Sequence, residues 1–243
     1  HSLSRRQRQM CIRDSYSAKP KKPVRFFTED LRAKGYYCTN NSKEDYNMMT
    51  SPLAWDESSD EAHWRNRENN QPFFSVFNFN VTHESNIWKN ETTYSAKELD
   101  NVQIPAFFPE NYKIKSDFIT NYKNIEKLDE QIGVIINQLK EDDLYDNTII
   151  FFFSDHGGPF PKYKRSIYET GIRVPMIAKW ITDTIKRNQN QFISFVDFAP
   201  TILEAANIKE EFPFEGVSFF KKEKRQYIYC LLYTSDAADE IAS

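Results

Sequence analysis

The chain has 243 residues, 40% hydrophobic and 15% aromatic, enough apolar material for one large α/β domain or one domain with a small appendage. Its 32 basic and 35 acidic residues are well mixed and leave a formal net charge of −3, so charge gives no case for nucleic acid or an anionic membrane surface as a partner. The sequence holds no run of about 20 apolar residues that could span a bilayer, and its three widely spaced cysteines, Cys11, Cys38 and Cys230, suit neither a disulfide framework nor a zinc cluster.

Residues 1–15 and 230–243 share no periodicity with their neighbours and resemble translated sequencing-adapter DNA. They are read as a non-native leader and tail around a partial domain at 16–229. Within it, 24–35 (VRFFTEDLRAKG) predicts a helix capped by Thr28 and stopped at Gly35, followed by a short strand at 36–39. Residues 40–71 are polar and read as a long excursion containing Trp55 and Trp64. The aromatic run 73–79 (FFSVFNF) is a buried strand, and 84–115 wanders around Pro105 and Pro109. Ser116 is expected to cap a helix over 116–140, with Ile119, Tyr122, Ile125, Leu128, Ile132, Ile135 and Leu139 along one face. After a turn at Asp146-Asn147, 148–153 (TIIFFF) reads as a strand apolar on both faces, as in a parallel sheet. A further strand is expected at 174–179, a helix at 197–207 with Asp197 as N-cap and Pro200 in its first turn, and the start of a strand at 226–229. Strands alternating with helices imply an α/β sheet with helices on its faces.

The chemistry-bearing residues gather after these strands. Asp155 and His156 in SDHGG (154–158) follow a buried strand at its carboxyl end, where α/β sheets place their sites. A hard oxygen, a nitrogen and two glycines that admit close approach suit a metal site; the alternative is a turn-capping Asp and a surface His. His83 in THES (82–85) is placed to project from the same sheet edge and could protonate a leaving oxygen, although a lone histidine is more often structural. In KYKRSIYETGIRVP (162–175), Lys164 or Arg165 could neutralise an anion, against the reading of a solvated charge run; Arg173 could be a structural ion-pair partner. Lys43, in NNSKEDYN, is a single lysine with a simple surface explanation.

In order, G-Y-Y-x-T with a following Lys, T-H-E-S, D-N-T-I-I-F-x-x-S-D-H-G, K-R-x-x-Y-E-x-G-I-R-V-P and V-D-F-A-P-T-I-L cover about residues 24–208 and resemble the sulfatase family; the AWDESSDEAHWRNR excursion (54–67) most resembles its heparan N-sulfatase-like branch. The resemblance implies an alkaline-phosphatase-like α/β sandwich with a mostly parallel sheet, here without its N-terminal strands. It implies hydrolysis of sulfated sugars, a bound Ca²⁺, and a formylglycine nucleophile made in C/S-x-P-x-R. By motif, Asp155 and His156 correspond to metal ligands, Lys164 to a sulfate-contacting lysine, His83 to the histidine near the leaving oxygen, and Lys43 to the lysine beside the nucleophile and sulfate. Asp45 stands where a histidine is common. Members of the family are mostly exported, which implies a periplasmic or extracellular location.

No C/S-x-P-x-R occurs in the sequence, since Cys11-Ile-Arg and Cys38-Thr-Asn do not match it. The chain is therefore expected to be inactive by itself and Cys38 to be an ordinary buried residue. Two other readings stand beside the sulfatase. A phosphodiesterase or phosphonate hydrolase of the same superfamily is disfavoured because four histidines leave few ligands for two metals. A non-catalytic sulfated-glycan-binding relative would use Trp55, Trp64 and Trp88 as stacking platforms.

Overall fold

The computed structural model describes residues 24–44, 46, 48, 50–89, 92–164, 166–181, 192–209, 213–221 and 226–228. The chain divides into two compact units, one of residues 1–78 with 187–243 and the other of 79–186.

The first unit opens with helix α1 (Phe27–Ala33), capped by Phe26 and not Thr28, which lies inside the helix and is buried. Gly35, at φ 87°, ends it as expected. Its N–H donates to Arg32 O at 2.9 Å and Tyr36 N–H to Leu31 O at 3.1 Å, the paired bonds that close a helix on a left-handed residue. Strand β1 (Tyr37–Asn41) follows and lies between β2 (Glu57–Ser58) and β3 (Phe73–Phe77) in a parallel sheet ordered β2-β1-β3. Tyr37 sits opposite Phe73, and Thr39 opposite both Ser75 and Glu57. The polar excursion is thus partly structured: it supplies β2 and a 3-10 turn at Trp64–Asn66. Helix α6 (Phe198–Ala205), the last among the described residues, closes the core, where Leu31, Cys38 and Leu203 are fully buried beside Ile208, Phe27, Trp55 and Phe74. Truncating either leucine to alanine is expected to cost about 2–5 kcal/mol.

The second unit is built on α4 (Tyr112–Glu141), a 30-residue helix about 45 Å long. It starts four residues earlier than the expected Ser116 cap, because Asn111 Oδ1 accepts from Ile114 N–H at 3.0 Å and satisfies an orphan donor of the first turn. Two short helices, α2 (Ser85–Lys89) and α3 (Ala96–Asn101), pack on it, so the segment expected to wander is partly helical. Ser95 caps α3 in a box with Glu98. The Ser95 backbone N–H, helped by Lys123, draws the Glu98 carboxyl down to about 2.

Strand β4 (Ile150–Phe153) pairs with β5 (Met176–Lys179) and runs antiparallel to it, with Phe151 opposite Ala178 and Phe153 opposite Met176. The expected parallel pairing and full burial are both corrected here: Ile150, Phe151 and Phe152 are half-buried and Phe153 is exposed, and an apolar run does not fix the direction of its partner. Lys179 ties the ribbon to the turn after α4, its ammonium donating to the carbonyls of Tyr145 at 2.5 Å and Thr148 at 3.1 Å. A short helix, α5 (Glu169–Ile172), precedes β5. Gln226 to Ile228 form no strand, and Cys11, Asp45, Arg165 and Cys230 lie outside the described residues. Among the described residues no helix is long and apolar enough to cross a membrane.

Candidate functional site

Asp155 and His156 follow β4 directly, in a loop that its own backbone and two glycines hold in place. Gly157 N–H donates to Gly171 O at 2.9 Å, and Lys164 N–H to Gly158 O at 3.0 Å. A β-carbon on Gly157 would lie 1.9 Å from Thr170 O, and one on Gly171 would lie 2.1 Å from Ser166 O. These two positions take glycine because two backbones pass too closely for any side chain. Phe160 then stacks on Phe118 of α4, with ring centroids 4.0 Å apart and planes 9° apart. The loop is thereby fixed to the helix on one side and to the 163–171 segment on the other.

The Asp155 side chain is 70% exposed, and among the described residues its backbone hydrogen bond is to the next residue, where Oδ1 accepts from His156 N–H at 3.1 Å. The His156 ring is more constrained. Nδ1 lies 2.8 Å from Gly157 O, and since a carbonyl only accepts, Nδ1 carries the proton. In the neutral ring Nε2 is then a lone pair, and it sits 3.5 Å from Asp155 Oδ2. Two acceptors face one another across that gap, an arrangement completed by a cation or by a second proton on the ring. Calcium takes about six to eight oxygen ligands. Asp155 supplies carboxylate oxygens and His156 supplies none, and no group of three His, Cys, Asp or Glu is placed to hold a metal among the described residues. The described residues thus provide part of a coordination sphere and do not by themselves fit the ion.

His83 is exposed at the head of α2. Its turn is stapled by Asn86, whose Nδ2 donates to Asn80 O at 2.8 Å and Val81 O at 3.1 Å. His83 Nδ1 accepts from Ser85 N–H at 3.3 Å and lies 2.9 Å from Ser85 Oγ. A backbone N–H can only donate, so Nδ1 is the acceptor and Nε2 bears the ring's proton. Lys164 reaches this turn: its ammonium lies 3.6 Å from Glu84 Oε1, and the two side chains are only 13% and 14% exposed.

The second unit therefore joins Asp155, His156 and Lys164 through one bonded loop system, and Lys164 joins the His83 turn through Glu84. The shared sheet edge expected for His83 and Asp155 is not the connection, because β3 and β4 belong to different sheets. Lys164 is not a solvated charge. Arg173 is exposed and not buried under a sheet. Glu84 was missed by sequence reasoning; its only signal was a carboxylate beside the candidate histidine.

Lys43 belongs to the first unit. Its side chain is exposed, while its carbonyl accepts from Asn40 Nδ2 at 3.1 Å at the carboxyl end of β1. Asn40 is itself bonded to Ser58 at 3.0 Å and to Asn78 at 3.0 Å, so the loop start is held though the ammonium is not. Cys38, two residues before Asn40, is fully buried, and burial, aided by Asp56 and opposed by Arg32, pushes its thiol up to about 12. A neutral, enclosed thiol does not fit a nucleophile. Of the three tryptophans weighed as sugar platforms, Trp64 is 1% exposed and Trp55 stacks on Phe74 at 6.2 Å, while Trp88 is 65% exposed on α2.

A family model for sulfatases matches residues 23–208. An ulvan-active sulfatase of Formosa agariphila is 39% identical over 93% of this chain and 45% of its own length. The N-sulphoglucosamine sulphohydrolase of Homo sapiens is 26% identical over 42% of the chain and 21% of its own length. Arylsulfatase K of Canis lupus familiaris is 29% identical over 54% and 28%, respectively. The chain spans less than half the length of each of these relatives.

Proposed function

Because the chain belongs to the sulfatase family, we propose that it is part of a hydrolase that cleaves sulfuric esters or sulfamates on sulfated sugars. An ulvan-active sulfatase and an N-sulphoglucosamine sulphohydrolase among its relatives direct the reading toward a sugar substrate. One observation carries it: the loop holding Asp155, His156 and Lys164 is tied to the turn holding His83 by the Lys164–Glu84 pair. That places an ammonium, an imidazole and a carboxylate in one loop system, a set suited to an anionic substrate.

Lys164 neutralises negative charge on the sulfuryl oxygens, which grows in the transition state. The partly enclosed position of Lys164 strengthens that effect, since less water screens it. His83, with its proton on Nε2, delivers a proton to the departing oxygen or nitrogen. Asp155 and His156 would hold one flank of a calcium ion, whose remaining ligands the described residues do not supply. The formylglycine nucleophile fits none of the described residues, so none of them is given the attack step.

The test is anion recognition by the 243-residue chain, measured by titration calorimetry with a sulfated oligosaccharide and its desulfated counterpart. Preference for the sulfated form, lost by about tenfold in Lys164→Ala, is the expected result. Equal binding of both forms, or a Lys164→Ala variant that binds as the parent does, would sink the reading. Turnover of a chromogenic aryl sulfate by the purified chain, abolished by His83→Ala, would overturn the exclusion of the described residues from the attack step.

A further inference from the structure

We propose that Glu84 is the resident counter-ion and positioning residue of Lys164, and that it competes with the incoming sulfate for the lysine's ammonium. This rests on the reading of Lys164 as a sulfate ligand. The two residues stand 80 positions apart (164 − 84), yet their charged atoms lie 3.6 Å apart with side chains 13% and 14% exposed. A surface pair looks different: in Lys113–Asp117, one turn apart on α4, the lysine is 72% exposed.

Both backbones of the Lys164–Glu84 pair are fixed independently. Lys164 N–H donates to Gly158 O at 3.0 Å, and Tyr163 beside it packs where a β-carbon on Gly158 would lie 3.3 Å away. Glu84 sits in the turn stapled by Asn86, with Ile87 N–H donating to Glu84 O at 3.0 Å. The contact is therefore set by the fold and not by two wandering side chains.

A largely enclosed ammonium without a partner is costly, so the carboxylate keeps Lys164 in place while no substrate is present. The ammonium has three N–H donors, and Glu84 leaves some of them for a sulfate oxygen. The same carboxylate repels that sulfate. Removing its charge should therefore loosen the lysine and at the same time strengthen its hold on a simple anion. A merely structural glutamate would weaken both.

The experiment is site-resolved acetylation of the 243-residue chain with an amine-reactive ester, followed by peptide mass spectrometry, with inorganic sulfate as the anion. In Glu84→Gln, Lys164 should be labelled about fivefold faster than in the parent, and sulfate should protect it half-maximally at a severalfold lower concentration. Lys113 should not change. Lys179, whose ammonium is bonded to the carbonyls of Tyr145 and Thr148, reports on folding. If faster Lys179 labelling shows that Glu84→Gln unfolds, Glu84→Asp carries the test: it keeps the charge with one methylene less and should give faster Lys164 labelling with unchanged sulfate protection.

An unchanged Lys164 rate in the folded variant overturns the proposal, as does equal or weaker sulfate protection in Glu84→Gln. Protection at the same concentration in both chains removes the role of Glu84 and leaves Lys164 an anion ligand. Protection in neither removes Lys164 as a sulfate ligand, and the proposal falls with that reading.

Discussion

Asp197 and Asp155 both stand in motifs that carry the family resemblance, and the fold uses them in opposite ways. In the first unit Asp197 is 2% exposed. One carboxylate oxygen accepts from Ser194 N–H at 2.9 Å and the other from Val217 N–H at 2.7 Å. Its carbonyl accepts from Thr201 Oγ1 at 2.6 Å, and Thr201 Oγ1 in turn accepts from Phe219 N–H at 2.9 Å. Every oxygen of Asp197 is occupied: Oδ2 holds the turn at Ser194, while Oδ1 and, through Thr201, the carbonyl hold 217–219 to the start of α6. In the second unit Asp155 accepts one bond from the neighbouring backbone N–H and leaves most of its carboxylate in solvent. An acid whose lone pairs are filled by backbone donors is structural, and one whose lone pairs stay open at a rigid loop is available for a ligand.

The comparison breaks most readily at Asp197. Asp197→Ala strands two part-buried N–H donors and should cost about 2–3 kcal/mol, read as a lower midpoint in urea with an unchanged slope. A loss below about 1 kcal/mol would mean that water replaces the carboxylate and that Asp197 is less committed than its bonds imply. The motif V-D-F-A-P-T would then need another explanation.

Gly157→Ala tests the rigidity of the loop that carries Asp155. The new β-carbon meets a backbone oxygen at 1.9 Å, so the loop must move, at an expected cost of about 2 kcal/mol. Gly133, inside α4, has nothing within 4 Å of an added β-carbon. Gly133→Ala should instead stabilise the second unit by about 0.5–1 kcal/mol. Equal thermal shifts for the two substitutions would show that the 154–158 loop is soft, and the open lone pairs of Asp155 would lose their fixed geometry.

Much of this division is legible in the sequence, for reasons that differ by residue. Gly35 was readable as a helix stop because only a left-handed residue closes α1 in that way. The aromatic runs that became β3 and β4 were readable as strands, although both are half-buried and Phe153 is exposed. The direction of β4 was not legible, because residues apolar on both faces suit a parallel or an antiparallel partner. The start of α4 was misread because Asn111 follows Pro109 and Glu110 in a stretch that looked like coil, while the better-looking Ser116 donates instead to Lys113 O at 2.8 Å within the helix. Asp197 was correctly placed at the head of a helix, but Val217 lies twenty residues away and nothing local predicts that bond. Asp155, His156, Lys164 and His83 were found as residue types at strand ends and in loops. Glu84 was not, since its meaning depends on a lysine brought to it by the fold.

The smallest effect bears most directly on what Asp155 is available for. His156 Nε2 and Asp155 Oδ2 are two acceptors 3.5 Å apart when the ring is neutral. In Asp155→Asn the amide can donate to Nε2, so the pair is satisfied without a cation, and stability should stay within about 0.5 kcal/mol of the parent. Calcium separates the two chains. With two protein side chains as ligands its affinity is expected in the millimolar range at best, the weak end for such sites. At a calcium concentration near its Kd, binding adds about 0.4 kcal/mol, or a melting shift of roughly 1 °C for a chain of this size. Differential scanning fluorimetry should find that shift in the parent and none in Asp155→Asn. A shift of about 5 °C or more in the parent would mean a fuller coordination sphere than Asp155 and His156 offer. A shift that survives Asp155→Asn would place the ion elsewhere, and the contrast with Asp197 would then rest on exposure alone.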